Sequence, residues 1–141
     1  MACISGLNNW KLTVRRESDS VTILRAVTWE KRASLPDTLF GLPVTALGGH
    51  ALAPTAGDVD GEAVSILGAP CPPDAAWDNR SLRELTLPRT LSRVGDYAFF
   101  QCAALKTLHL WDSFTYWGGG ALMNCRELDT ICLSRAGEQQ E

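Results

Sequence analysis

Few residues in this chain have both the type and the spacing that catalysis requires. The two histidines are His50 and His109, and no serine in a nucleophile-elbow pattern accompanies them. Five cysteines are present, but no Cys-x-x-Cys pair indicates a zinc site. The spacing of His109 and Cys132 would allow two metal ligands, which are too few for a structural site. We therefore expect no enzyme activity, no catalytic residue, no metal and no cofactor.

Two further motifs resemble ligand loops but lack their defining residues. The glycine run Gly118–Gly120 is not followed by the Lys and Ser or Thr of a phosphate-binding loop. The acidic residues Asp58, Asp60 and Glu62 lack the distant bidentate glutamate of a calcium loop. We interpret the first as part of a structural repeat and the second as a solvated acidic loop.

The residues with potential for binding are polar and aromatic side chains that recur beside a repeated apolar pattern. Alternation along short strands would place Thr86, His109 and Cys132 in one column on the strand face that does not enter the core. Exposed aromatic residues are enriched at interfaces. The alternative is an ordinary polar surface. The predicted binding residues are Glu84, Thr86, Thr107, His109, Trp111 and Tyr116.

A repeat with a period of 23 residues would position these side chains. Each unit contains a short strand, a second extended piece, a glycine and then a one-turn helix that Asp96 would cap. We expect Gly95 to adopt a backbone conformation that residues with a side chain disfavour. Such units cannot bury an apolar face alone, so a fixed period predicts stacked coils. The apolar residues Leu82, Leu85, Leu87, Leu91, Val94, Gly95, Ala98, Phe99 and Cys102 recur as Leu105, Leu108, Leu110, Phe114, Trp117, Gly118, Ala121, Leu122 and Cys125.

The segment 82–102 resembles the BspA-type leucine-rich repeat, whose pattern runs L-x-x-L-x-L-P-x-x-L-x-x-I-G-x-x-A-F-x-x-C. The next unit departs from it at Trp111, Phe114 and Leu122. The resemblance implies an α/β solenoid, a short right-handed stack of strand-rich coils with one-turn helices. It also implies a bacterial binding or surface protein, and it brings no catalytic residue.

The repeat pattern also divides the chain. Apolar and polar residues alternate within residues 1–32, which predicts an N-terminal β-hairpin that would cap the stack. Residues 33–133 would form the solenoid, and residues 134–141 are a polar tail. The expected coils are 33–53, a degenerate coil 54–80, 81–103, 104–126 and a partial coil 127–133. In the degenerate coil, Val64–Ile66 would match Leu85–Leu87 and Ala76 would lie between Ala51 and Ala98. The alternative is that 54–80 is a surface loop.

The amino-acid composition and the net charge argue against two classes of partner, nucleic acid and the lipid bilayer. The net charge of −3 offers no basic stripe for nucleic acid, and no apolar stretch reaches the roughly 20 residues that span a bilayer. The N-terminus does not resemble a secretory signal, so we expect a cytoplasmic location, or the cell surface if the chain is a fragment. Cys102 and Cys125 hold equivalent positions, where they are either small buried groups or a disulfide.

We therefore predict a non-catalytic protein–protein interaction module. The alternative is a structural protein that forms a homodimer through the uncapped edge Leu128–Leu133.

Overall fold

The computed structural model describes residues 3–4, 9–54, 57, 59–68, 70–114 and 116–135. These residues form twelve strands and no helix. The strands are β1 Cys3–Ile4, β2 Trp10–Arg16, β3 Val21–Val27, β4 Arg32–Ser34, β5 Thr38–Leu39, β6 Leu42–Leu47, β7 Glu62–Ile66, β8 Glu84–Thr86, β9 Arg93–Val94, β10 Thr107–Trp111, β11 Tyr116–Trp117 and β12 Thr130–Ser134.

The strands form two sheets, which we call sheet A and sheet B. Sheet A has the order β1-β7-β2-β3-β6-β9-β11, with β5 paired to β6, and sheet B has the order β12-β10-β8-β4. Every pairing in sheet B is parallel and in register. Each of the first three coils thus contributes one strand to each sheet, and within the described residues the last coil contributes only β12. The expected strand-rich solenoid is confirmed.

The apolar ladders form the core between the sheets. Leu108 lies opposite Leu85 in sheet B, and Trp117 lies opposite Val94 in sheet A. Leu85, Leu108 and Phe99 are fully buried. Burial of side chains of this size stabilises the fold by about 1.5–3 kcal/mol each, so stacking supplies what a single coil lacks.

The expected one-turn helices are wrong, because the described residues form turns at those places. In the coil 81–103, Tyr97 and Gln101 have φ of 57° and 61°. These values lie in the left-handed region and interrupt helical hydrogen bonding. Asp96 does not cap a helix. Its Oδ1 accepts a hydrogen bond of 2.9 Å from the backbone N–H of Gly119 in the next coil.

The repeat glycine is required by close approach of neighbouring coils, and the sequence interpretation of Gly95 is wrong. Gly95 does not have a φ in the left-handed region; a Cβ there would lie 2.6 Å from the carbonyl carbon of Gly48. Gly118 would likewise place a Cβ 2.4 Å from the carbonyl carbon of Gly95. A side chain at either position would push two coils apart.

The degenerate coil predicted for 54–80 is also wrong. β4 pairs directly with β8, and β6 pairs directly with β9. The strand at 62–66 instead runs antiparallel to β2, and Ala76 is exposed. The backbone N–H of Leu52 donates directly to the carbonyl of Ala98, at 2.8 Å, so no coil separates the two. Residues 54–78 are therefore an insertion within the first coil, and the coil resumes at Asn79.

Asn79 closes the first coil by bonding its side chain to the backbone of two other segments. It is 1% exposed and has a φ of 64°. Its Nδ2 donates to the carbonyls of Ala26 and Leu52, at 2.8 and 3.0 Å, while its Oδ1 accepts from the N–H of Thr28 at 2.8 Å. These bonds give hydrogen-bond partners to buried backbone groups of both segments.

The predicted N-terminal hairpin cap is confirmed. β2 and β3 pair antiparallel, β7 adds a strand beyond β2, and β3 pairs parallel with β6 of the first coil. The cap thus continues sheet A over the first coil. Residues 1–2, 5–8 and 136–141 of the predicted cap and tail lie outside the described residues. In the described part of the chain, no helix is long and apolar enough to cross a membrane.

Candidate functional site

The outward face of sheet B carries two columns of mostly polar side chains. The register aligns Arg32, Glu84, Thr107 and Thr130 in one column, and Ser34, Thr86, His109 and Cys132 in the other. The predicted column of Thr86, His109 and Cys132 is therefore confirmed. The structure brings together the predicted residues Glu84, Thr86, Thr107, His109 and Trp111 on this sheet. We call this face the sheet B surface.

Glu84 links three of the four strands of the sheet B surface. Its Oε1 lies 3.1 Å from Nε2 of His109 on β10, and its Oε2 lies 3.4 Å from Nε of Arg32 on β4. The side chains are 39%, 34% and 84% exposed, in the order Glu84, His109 and Arg32. Solvent-exposed pairs contribute at most about 1 kcal/mol, so these contacts orient the side chains more than they stabilise the fold.

Trp111 lies at the end of β10 and forms one wall of a cleft of about 460 Å³. Its Nε1–H donates to the carbonyl of Leu87 at 2.8 Å, and the guanidinium carbon of Arg89 lies 4.7 Å from the centre of its ring. The cleft is lined by Ser34, Leu35, Pro36, Asp37, Thr38, Thr86, Leu87, Arg89 and Trp111. It therefore joins the sheet B surface at the carboxyl ends of β4, β8 and β10.

The structure separates Tyr116 from the other predicted residues. Tyr116 lies on β11 in sheet A, and its side chain contacts Arg93 and Asp96. It is one of several exposed apolar side chains on the last described coils. These are Tyr116, Met123, Ile131 and Leu133, which are 44%, 48%, 52% and 65% exposed. We call this set the end surface.

The end surface arises because Ile131 and Leu133 continue the ladders of Leu108, which is buried, and Leu110, which is half-buried. β12 pairs with β10 along one edge, and within the described residues no strand pairs along its other edge. The same side-chain positions that are buried in an inner coil are therefore exposed in this one.

The cysteines of the ladder are free thiols that bond to the preceding coil. Sγ of Cys102 donates to the carbonyl of Leu52 at 3.3 Å, and Sγ of Cys125 donates to that of Phe99 at 3.1 Å. Burial raises the pKa of both thiols, most strongly for Cys102. Raised pKa values leave few thiolate anions near neutral pH, so these positions are structural.

Metal binding has little support in the structure. Within the described ranges, no group of three or more His, Cys, Asp and Glu side chains is arranged to hold a metal ion. His109 and Cys132 are neighbours across β10 and β12, but they remain a pair without a third ligand.

Sequence reasoning missed Arg32, Ser34 and Arg89. The first two went unnoticed because the expected coil at 54–80 separated 32–34 from β8. A signal was present, since the run Ser34-Leu-Pro36 matches Thr86-Leu-Pro88, which aligns β4 with β8. No spacing rule marks Arg89, whose neighbours Asp37 and Trp111 come from the two adjacent coils.

Comparisons with known proteins agree with this architecture. The family model for the BspA type leucine rich repeat region (6 copies) matches residues 73–139. The fold is similar to the crystal structure of a leucine rich cell surface protein from Faecalibacterium prausnitzii A2-165, with a TM-score of 0.57 and 19% identity. The match covers 86% of this chain and 30% of that protein.

A leucine rich repeat protein from T. pallidum is similar at 19% identity, with a TM-score of 0.45. That match covers 85% of this chain and 67% of the other. The search of curated proteins finds no match.

Proposed function

Since the family model for the BspA type leucine rich repeat region matches residues 73–139, we propose that this chain is a non-catalytic protein–protein interaction module. The sheet B surface is the face that contacts the partner. The observation that carries the proposal is the in-register alignment of the four strands β4, β8, β10 and β12. This alignment places two columns of mostly polar side chains on one face.

The geometry of this face suits a protein more than a small molecule. Parallel strands lie about 4.8 Å apart, so its four strands span roughly 14 Å. The face carries both signs of charge, with Arg32, Glu84 and His109 in contact, and the half-buried Trp111 lies at one end. Large aromatic and Arg side chains beside polar groups are typical of protein interfaces.

The similar protein from Faecalibacterium prausnitzii is described as a cell surface protein. That description favours a role at the cell surface for this chain as well. The partner would then be a protein outside the cell.

Site-specific photo-crosslinking tests the proposal. A benzoylphenylalanine residue at Thr107 would sample the sheet B surface, and one at Thr45 would sample sheet A as the matched control. We expect Thr107 to crosslink one defined protein and Thr45 not to crosslink it. Equal crosslinking from both positions would contradict the proposal.

A purified partner then allows an alanine scan of Glu84, Thr86, Thr107, His109 and Trp111. We expect at least one variant to weaken binding tenfold or more, since a few residues dominate most interfaces. Arg15→Ala is the control because its exposed side chain lies on β2 in sheet A. If every variant on sheet B binds as the parent does, the site lies elsewhere.

The end surface supports a second candidate function, self-association. Ile131 and Leu133 are core-type residues more than half exposed on an edge strand, and exposed edges of this kind pair with other strands. A homodimer would bury them against the same residues of a second copy.

Analytical ultracentrifugation at rising protein concentration tests this candidate. We expect a dimer that Ile131→Lys and Leu133→Lys dissociate, while Leu67→Lys, at a residue 51% exposed elsewhere, does not. A strict monomer at millimolar concentration would exclude self-association.

A further inference from the structure

The cleft beside Trp111 is lined by one positively and one negatively charged side chain. Among the residues that line it, Arg89 is the cation and Asp37 the acid. Oδ1 of Asp37 already accepts a hydrogen bond of 2.9 Å from the backbone N–H of Arg89. Within the described residues, no carboxylate lies within ion-pair distance of the Arg89 guanidinium.

The Arg89 guanidinium is also held in place before any ligand arrives. It stacks 4.7 Å from the ring centre of Trp111, and the indole is itself fixed by its 2.8 Å bond to the carbonyl of Leu87. Both side chains are half-buried. A stacked guanidinium keeps its N–H donors in one plane, where they can bind a carboxylate with two parallel hydrogen bonds.

The remaining walls suit the stem and backbone of a peptide. Leu35, Pro36 and Leu87 are buried residues that line the cleft with apolar atoms, while Thr38 and Thr86 offer hydroxyl groups. A volume of about 460 Å³ holds a side chain and its flanking peptide groups, since ligand pockets of about 300–1,000 Å³ are usual.

We propose that this cleft binds the carboxylate of a Glu or Asp side chain on an extended segment of the protein partner, with Arg89 as the binding residue. The inference rests on the proposed function, because the cleft continues the sheet B surface. It adds the chemistry of the partner, which presents an acidic side chain at the carboxyl ends of β4 and β8.

Peptide titration followed by NMR tests the inference. The probes are the capped peptides acetyl-Ser-Val-Glu-Val-Ser-amide and its Gln counterpart, which differ in the charge of one side chain. The reporters are the indole N–H of Trp111, assigned with Trp111→Phe, and the Nε–H of Arg89. We expect saturable shifts of both reporters with the Glu peptide, and at least tenfold weaker binding of the Gln peptide.

Variants of Arg89 separate charge from geometry. Arg89→Gln should abolish the preference for Glu, and Arg89→Lys, which keeps the charge but loses the planar fork, should weaken Glu binding at least threefold. Arg93→Gln is the matched control, because Arg93 stacks on Tyr116 at 4.9 Å in sheet A. Equal binding of the two peptides by the parent chain would overturn the inference, and this comparison needs no variant to fold.

The partner identified by crosslinking distinguishes the inference from the proposed function. If Arg89→Gln binds that partner unchanged while Thr107 or His109 variants lose it, the inference fails and the proposed function stands. If Arg89→Gln and a strand-face variant both weaken binding tenfold or more, both are supported.

Discussion

Replacement of Gly95 by alanine should destabilise the solenoid through a collision between coils. The new Cβ would lie 2.6 Å from the carbonyl carbon of Gly48 and from the nitrogen of Gly49, and 2.9 Å from the oxygen of Gly48. All three are backbone atoms, so no side chain can rotate away. Carbon atoms pack at about 3.5–4.0 Å, and the coils must therefore separate by about 0.9 Å or more.

That separation would stretch hydrogen bonds that join the two coils. The N–H of Gly95 donates to the carbonyl of Leu47, and that of Ser92 to the carbonyl of Thr45, both at 2.8 Å. Overpacking costs about 1–3 kcal/mol, and a lost hydrogen bond about 1 kcal/mol. We expect Gly95→Ala to lower the free energy of unfolding by about 2–4 kcal/mol.

Gly119→Ala is the matched control. No atom lies within 4 Å of a Cβ at Gly119, and like Gly95 it does not have a φ in the left-handed region. Both substitutions reduce the entropy of the unfolded chain equally, so the difference between the variants isolates the collision.

Urea unfolding monitored by circular dichroism provides the measurement. Gly119→Ala should stay within about 0.5 kcal/mol of the parent or exceed it slightly. If Gly95→Ala proves as stable as Gly119→Ala, with the same dependence on urea, the coils do not approach as closely as the structure places them.

Two further predictions concern buried polar groups. Asn79→Ala should lower the free energy of unfolding by about 3 kcal/mol in the same urea assay, because it removes three hydrogen bonds to buried backbone groups. Asn124→Ala, at an exposed residue with a similar φ of 63°, should cost less than about 1 kcal/mol, and equal losses would contradict the role given to the Asn79 side chain. Because the pKa of Cys102 is raised in the folded state, its contribution to stability is constant below the unfolded pKa of about 9 and falls above it, by about 0.8 kcal/mol between pH 7.5 and 9.5. Under reducing conditions Cys102→Ala should remove that part of the pH dependence; an unchanged slope in Cys102→Ala would refute the shift.

The sequence predicted the repeats well because their register depends on local pattern. Leu85 and Leu108, or Val94 and Trp117, occupy matching places in units of equal length, and the structure pairs them. The same use of spacing gave a wrong prediction for the insertion. The segment 54–78 is close to one period long, so spacing alone could not distinguish an added coil from an excursion that pairs with β2.

The candidate site was likewise predicted in part. Strand alternation predicted that Glu84, Thr107 and His109 share a face, because side chains two residues apart point the same way. It could not predict Arg89, which meets Trp111 across the end of the sheet. The sequence also grouped Tyr116 with Trp111 as exposed aromatic residues of one contact surface, although β11 belongs to the other sheet.

The most direct test of this account is whether β4 lies beside β8, because the four-stranded sheet B surface exists only in that arrangement. Nuclear Overhauser effects between backbone amide and Hα protons report neighbouring strands in solution. We predict contacts that join Arg32–Ser34 to Glu84–Thr86, and contacts that join Glu62–Ile66 to Trp10–Val14. Contacts between Glu62–Ile66 and Glu84–Thr86 would contradict the account, because they would place an additional coil between the first and second coils.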